Sequence, residues 1–139
     1  MTAYISVSFS NRQSADQVLT AITAALNELS IATFIFVDHY QFDATQEQQM
    51  MQQAMADIDR CDILVAETSR KAIGIGIEAG YAKAKGKAII YLRQKNAEHS
   101  TTVAGISNFQ VVYDDTNDLK RQLAEVARKI LQQPKEVME

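Results

Sequence analysis

Apolar residues recur along this chain in two alternating rhythms. Tyr4-Ile5-Ser6-Val7-Ser8-Phe9 is a short β-prone run broken by Ser10-Asn11-Arg12, and Ser14 with Gln17 has capping-box spacing for a first helix. Val18, Ile22, Ala25, Leu26 and Leu29 then fall on one helical face. Ala32-Thr33-Phe34-Ile35-Phe36-Val37 is apolar on both faces, which predicts a central strand. Beyond the polar and aromatic stretch Asp38-His39-Tyr40-Gln41-Phe42-Asp43, Thr45 with Gln48 repeats the capping spacing. The helix it predicts carries Met51, Met55 and Ile58, and the glutamines from Gln46 to Gln53 read as its solvated face.

Asp62-Ile63-Leu64-Val65-Ala66 predicts a third strand. Gly74-Ile75-Gly76 predicts a turn into a helix through Glu78, Tyr81, Ala82 and Lys85, with Gly86 as its C-cap. Ala88 to Leu92 predicts a fourth strand and Phe109 to Tyr113 a fifth. Leu119, Leu123, Val126 and Ile130 stripe a final helix that stops before Pro134, leaving 134–139 as a frayed tail. Strands and helices in β-α-β order demand right-handed crossovers. The expected fold is therefore α/β: a doubly wound five-stranded parallel sheet, flavodoxin-like or Rossmann-like, with helices on both faces and a single domain over 1–139. Ligands in such sheets bind beyond the carboxyl ends of the strands. The loops 9–14, 38–44, 67–78 and 94–107 form that rim.

Composition narrows the function. With 139 residues, 47% hydrophobic and 22% charged, the chain has ordinary globular composition. Fourteen basic against seventeen acidic side chains give a net charge of -3, which argues against a nucleic-acid polymer or an anionic membrane as partner. The longest apolar runs are strand-sized, far short of the roughly 20 residues that span a bilayer. One cysteine, Cys61, closes no internal disulfide, and the N-terminus lacks the pattern of a signal peptide, so a cytoplasmic location is expected.

The candidate chemistry concentrates at Gly74-Ile75-Gly76-Ile77-Glu78. A dinucleotide-binding fingerprint would need its third glycine at position 79, which is Ala79, and would follow the first strand, so that reading is rejected. Glu78 instead reads as a carboxylate in the first turn of a helix, where dipole and free amides favour the ionised form. The same residue also fits ordinary N-terminal capping.

The stretch from Asp62 through Glu67, then Gly74-Ile75-Gly76-Ile77-Glu78-Ala79-Gly80-Tyr81-Ala82 and Gly86-Lys87-Ala88-Ile89-Ile90, resembles the nucleoside 2-deoxyribosyltransferase family and the related 2'-deoxynucleoside 5'-phosphate N-hydrolases. The resemblance implies that Glu78 is the catalytic nucleophile, attacking the anomeric carbon of a deoxyribonucleoside or its 5'-monophosphate. It implies substrate-binding roles for Tyr4 beside the nucleophile, for Ser8 and Ser100 at the sugar phosphate, for Gly74 and Gly76, and for Asp38 and His39 in the loop that cups the base. Ser100 would be contributed by a neighbouring subunit, so a homodimer or higher homo-oligomer is expected.

Three positions depart from the family pattern. Ala54 stands where an acid helper is usual, Ala72 where a serine or aspartate meets the 5' end of the substrate, and Val7 where a glycine is usual. Asp38, His39, Asp43 or Asp57 could assist the departing base in place of the missing acid. The alternative function is a non-catalytic nucleotide-binding or regulatory module on the same scaffold. His39 and His99 lie too far apart to suggest a metal site, and neither a metal nor a cofactor is expected. Cys61 reads as a packed thiol, and Arg70-Lys71 as a solvated basic spot on the rim.

Overall fold

A computed structural model describes residues 1–8 and 15–133. The strands are β1 (Thr2–Ser6), β2 (Ala32–Ile35), β3 (Ile63–Glu67), β4 (Ala88–Gln94) and β5 (Phe109–Tyr113). The helices are α1 (Asp16–Asn27), α2 (Glu47–Arg60), α3 (Ile73–Ala84), the short α4 (Thr101–Gly105) and α5 (Thr116–Gln132), and a 3-10 turn, Phe36–Asp38, follows β2. All strand pairs are parallel, in the order β2-β1-β3-β4-β5. The expected doubly wound architecture is present, with β1 and β3 flanking the switch point. The expected capping serine Ser14 and the tail 134–139 lie outside the described residues.

Strand alternation sorts the core into two halves. Ala3, Ile5, Val7, Ile63, Val65, Ile90 and Leu92 face one side, where Leu19, Ile22 and Leu26 of α1 and Leu119 and Leu123 of α5 cover them. Tyr4, Leu64, Ala66, Ile89 and Tyr91 face the other, under Ala54 and Ile58 of α2 and Ile75, Ala79 and Ala82 of α3.

Three expectations need correction. The second strand is an edge, not central: β2 pairs only with β1, and Thr33, Phe34 and Ile35 are half-buried. It is apolar on both faces because α1 covers the side of Ile35, while His39 and Tyr40 of the following loop pack on Phe34 on the other side, so an edge strand reads like a central one. Thr45 does not cap α2. Its N–H and hydroxyl both bond Asp43 Oδ1, at 2.8 and 2.5 Å, and the helix starts at Glu47 without a side-chain cap. Finally, Gly74 and Gly76 make no turn; both lie inside α3. Packing of Ile75, Ala79 and Ala82 holds those residues helical against the propensity cost of glycine.

Gly86 ends α3 as expected. It has φ 74°, Gly86 N–H bonds the Lys83 carbonyl, and Lys87 N–H bonds the Ala82 carbonyl, each at 3.0 Å. This is a Schellman termination, which needs a left-handed residue at that point.

Candidate active site

The site begins with the alternation of β1. Tyr4 and Ser6 point to the α2/α3 side of the sheet, and both hydroxyls end on Glu78 of α3. Tyr4 Oη donates to Oε2, and Ser6 Oγ donates to Oε1 at 2.7 Å. Glu78 is the sixth residue of α3, so it sits in the second turn rather than the first. Both carboxylate oxygens are held by hydroxyl donors, a pairing that suits the ionised group, which only accepts.

Glu78 is 5% exposed. Burial pushes its carboxyl above the ordinary carboxylate range, and the bonds from Tyr4 and Ser6 pull it part of the way back. The Tyr4 phenol is pushed well up, first by burial and then by the adjacent Glu78, with smaller contributions from Cys61 and Tyr40. Desolvation therefore dominates at Glu78, and the expected control by the helix N-terminus is replaced by two hydroxyl bonds.

The loop after β2 builds an aromatic wall beside this pair. The Tyr4 and Phe34 rings stack at 5.9 Å, and Phe34 and His39 lie parallel at 4.4 Å with 3° between planes. Tyr40 tilts against Phe34, Phe36, His39 and Phe42. Asp38 is exposed at the end of the 3-10 turn.

Two cavities open along the same rim. One, of about 360 Å³, lies between the start of α3 and α4 and is lined by Thr68, Ala72, Ile75, Gly76, Ser100 and Thr102. Its Ser100 is pinned by the buried Tyr91, whose hydroxyl accepts Ser100 N–H at 3.0 Å and meets His99 Nδ1 at 3.2 Å. A Cβ added at Gly74 or Gly76 would meet nothing within 4 Å, so the backbone there is open to close approach. The other cavity, of about 310 Å³, lies on the α1/α5 side and is lined by Ser8, Glu67, Ser69, Arg70 and Tyr113 among others.

The structure thus joins Glu78 to Tyr4, connects His39 to Tyr4 through the intervening Phe34 ring, and places Gly76 and Ser100 around one cavity. Ser8 lines the cavity of the opposite side. Sequence reasoning missed Ser6 and Glu67. Ser6 was signalled by its place two residues after Tyr4, on the same strand face. Glu67, buried at the end of β3, accepts from Ser69 N–H at 2.6 Å and from the Tyr113 hydroxyl at 2.7 Å. Burial raises its carboxyl despite these bonds.

Cys61 is a buried free thiol raised by burial. Among the described residues no three His, Cys, Asp or Glu side chains are grouped to hold a metal ion, and no helix is long and apolar enough to cross a membrane.

Residues 3–123 match the family model described as nucleoside 2-deoxyribosyltransferase. The chain belongs to that family. Solved structures show the same fold at low identity. A CMP N-glycosidase from Clostridium botulinum is 20% identical with a TM-score of 0.62, covering 88% of this chain and 98% of its own. A 2-deoxyribosyltransferase from Bacillus psychrosaccharolyticus is 15% identical with a TM-score of 0.65, covering 88% and 96%. A conserved protein from Enterococcus faecalis is 14% identical with a TM-score of 0.69, covering 91% and 98%. No curated protein sequence matches. In this deoxyribosyltransferase-family chain, the match takes in β1, β3 and α3, and so Tyr4, Ser6 and Glu78.

Proposed function

We propose that the protein is an enzyme that cleaves or transfers the N-glycosidic bond of a deoxyribonucleoside or its 5'-monophosphate, with Glu78 as nucleophile. The observation that carries this reading is the buried Glu78 carboxylate held through both oxygens by Tyr4 and Ser6 at the carboxyl edge of the sheet. Breaking the bond develops oxocarbenium character at C1', and a desolvated carboxylate stabilises that charge far better than one in water. A Glu78 oxygen bonds C1' as the C1'–N pair leaves with the base. Water, or a second base, then displaces Glu78. Tyr4 and Ser6 orient the carboxylate and keep it ionised. Gly74 and Gly76 let the sugar approach the backbone, Asp38 and His39 border the base, and Ser100 serves the sugar-phosphate end, whereas Ser8 lines the cavity on the opposite side of the sheet and has no part in this arrangement.

Self-association belongs to the same proposal. Ile73 and Ile77 stand one turn apart on α3 and are 85% and 50% exposed, next to the cavity that Ser100 lines. Exposed apolar side chains on the helix that carries Glu78 suit a symmetric dimer, or a ring of dimers, in which Ser100 completes a neighbour's site.

Ala54, buried near Tyr4, and Ala72, the extended residue before α3, supply no acid or hydroxyl and favour a second reading, a nucleotide-binding module without turnover. Incubation with deoxynucleosides and their monophosphates, with free base followed by chromatography, separates the two. Base release supports the enzyme, binding without release supports the module, and neither binding nor release overturns both.

A further inference from the structure

One buried titratable cluster is not used by the chemistry above. Asp57 of α2 is 0% exposed, and its Oδ1 accepts from the Arg60 guanidinium, from Gln53 Nε2 at 3.1 Å, and from the Tyr40 hydroxyl at 3.4 Å. Its Oδ2 is buried without a hydrogen-bond partner among the described residues. Gln53 Nε2 also donates to the Tyr40 oxygen at 3.0 Å. A phenol has one proton to give. Gln53 occupies the Tyr40 oxygen as an acceptor, while the one acceptor for its proton among the described residues, Asp57 Oδ1, lies at the long limit of a hydrogen bond and already takes two better donors. The Tyr40 proton is thus weakly committed, and its oxygen is held in place.

Tyr40 also lies on the Glu78 side. Its ring belongs to the wall formed by Phe34 and His39, Phe34 stacks on Tyr4, and Tyr4 bonds Glu78. A base leaving C1' carries away the electron pair of the C1'–N bond, and a hydrogen bond stabilises the anion it becomes.

We propose that Tyr40, positioned by Gln53 and Asp57, donates the hydrogen bond that stabilises the departing base. This rests on the glycosidic reading above. The phenol keeps its proton: the base departs as a hydrogen-bonded anion, water attacks C1' and frees Glu78, and the remaining water proton neutralises the base. Gln53 and Asp57 act through Tyr40 and are positioning residues.

The test compares two leaving groups in wild type, Tyr40→Phe and Gln53→Leu, with folding checked by thermal unfolding. One substrate carries a purine or pyrimidine on 2-deoxyribose, the other a nitrophenolate, which leaves as a stable anion without help. Tyr40→Phe should lower kcat for the base at least about tenfold, with KM little changed, and leave the nitrophenolate rate within about threefold. Gln53→Leu should show the same discrimination in smaller measure. Equal loss on both substrates, or no loss on either, overturns the role of Tyr40 while leaving the glycosidic reading intact. Wild type that cleaves neither substrate overturns both.

Discussion

Ser6 Oγ donates to Glu78 Oε1 at 2.7 Å across 72 residues of sequence, so the last residue of β1 aims the carboxylate of α3. This bond also lowers a carboxyl that burial has raised. Ser6→Ala removes the lowering contribution, so the acid limb of the activity profile should move to higher pH and kcat should fall. A limb that stays in place or moves down would show that Ser6 does not tune Glu78.

Stability carries a matching pH signature at Glu67. Burial raises its folded-state value above the ordinary 4.5, so between the two values the folded protein holds a proton that the unfolded chain has released. Stability contributed by the protonated carboxyl is full below about 4.5 and is lost as pH rises through the folded value. Glu67→Gln removes this loss. Its melting temperature relative to wild type should climb as pH rises above about 4.5, and a constant difference would contradict the assignment.

Tyr113→Phe leaves Glu67 Oε2 without the donor it has at 2.7 Å. The expected cost is about 1–3 kcal/mol in urea unfolding at neutral pH, the cost of one orphaned buried acceptor. A change below about 0.5 kcal/mol would mean that water replaces the phenol.

Two left-handed residues give opposite expectations. Gly86 at φ 74° should resist replacement, with Gly86→Ala costing about 1 kcal/mol or more, whereas Ser30 at φ 61° bears a Cβ in the same region. Ser30→Gly should be neutral or stabilising. Urea titration of both variants checks the pair.

The exposed Ile73 and Ile77 provide the handle on assembly. Sedimentation at micromolar concentration should show a dimer or larger closed species, and Ile77→Asp should shift it toward monomer. A clean 15.5 kDa species in wild type would end the shared-site proposal. If a dimer forms and both single variants are impaired, mixing Glu78→Ala with Ser100→Ala protomers should restore some activity through hybrid sites.

Much of the scaffold was legible in local pattern. The fifth strand, Phe109 to Tyr113, and the Gly86 cap were readable because alternation and a helix-ending glycine are short-range signals. Position in the sheet was not: nothing within Ala32 to Val37 distinguishes an edge covered by α1 and a loop from a centre. The start of α3 was misread because its glycines argue locally for a turn, and only tertiary packing makes them helical. At the site, spacing singled out Glu78 and family resemblance singled out Tyr4, but Ser6 and Glu67 find their partners across long separations that spacing does not encode. Asp57 was one of several open candidates, and its contact with Tyr40 emerges only when α2 meets the loop after β2.

The proposed attack of Glu78 on C1' is tested by comparing wild type with Glu78→Gln for base release from deoxynucleosides and their monophosphates, with peptide mass spectrometry of the acid-quenched wild-type reaction. The variant should stay folded with base release lower by at least about 10³-fold, and the wild-type peptide containing Glu78 should carry a deoxyribosyl group. Base release by Glu78→Gln within about threefold of wild type, or a deoxyribosyl group on a different residue, would contradict it.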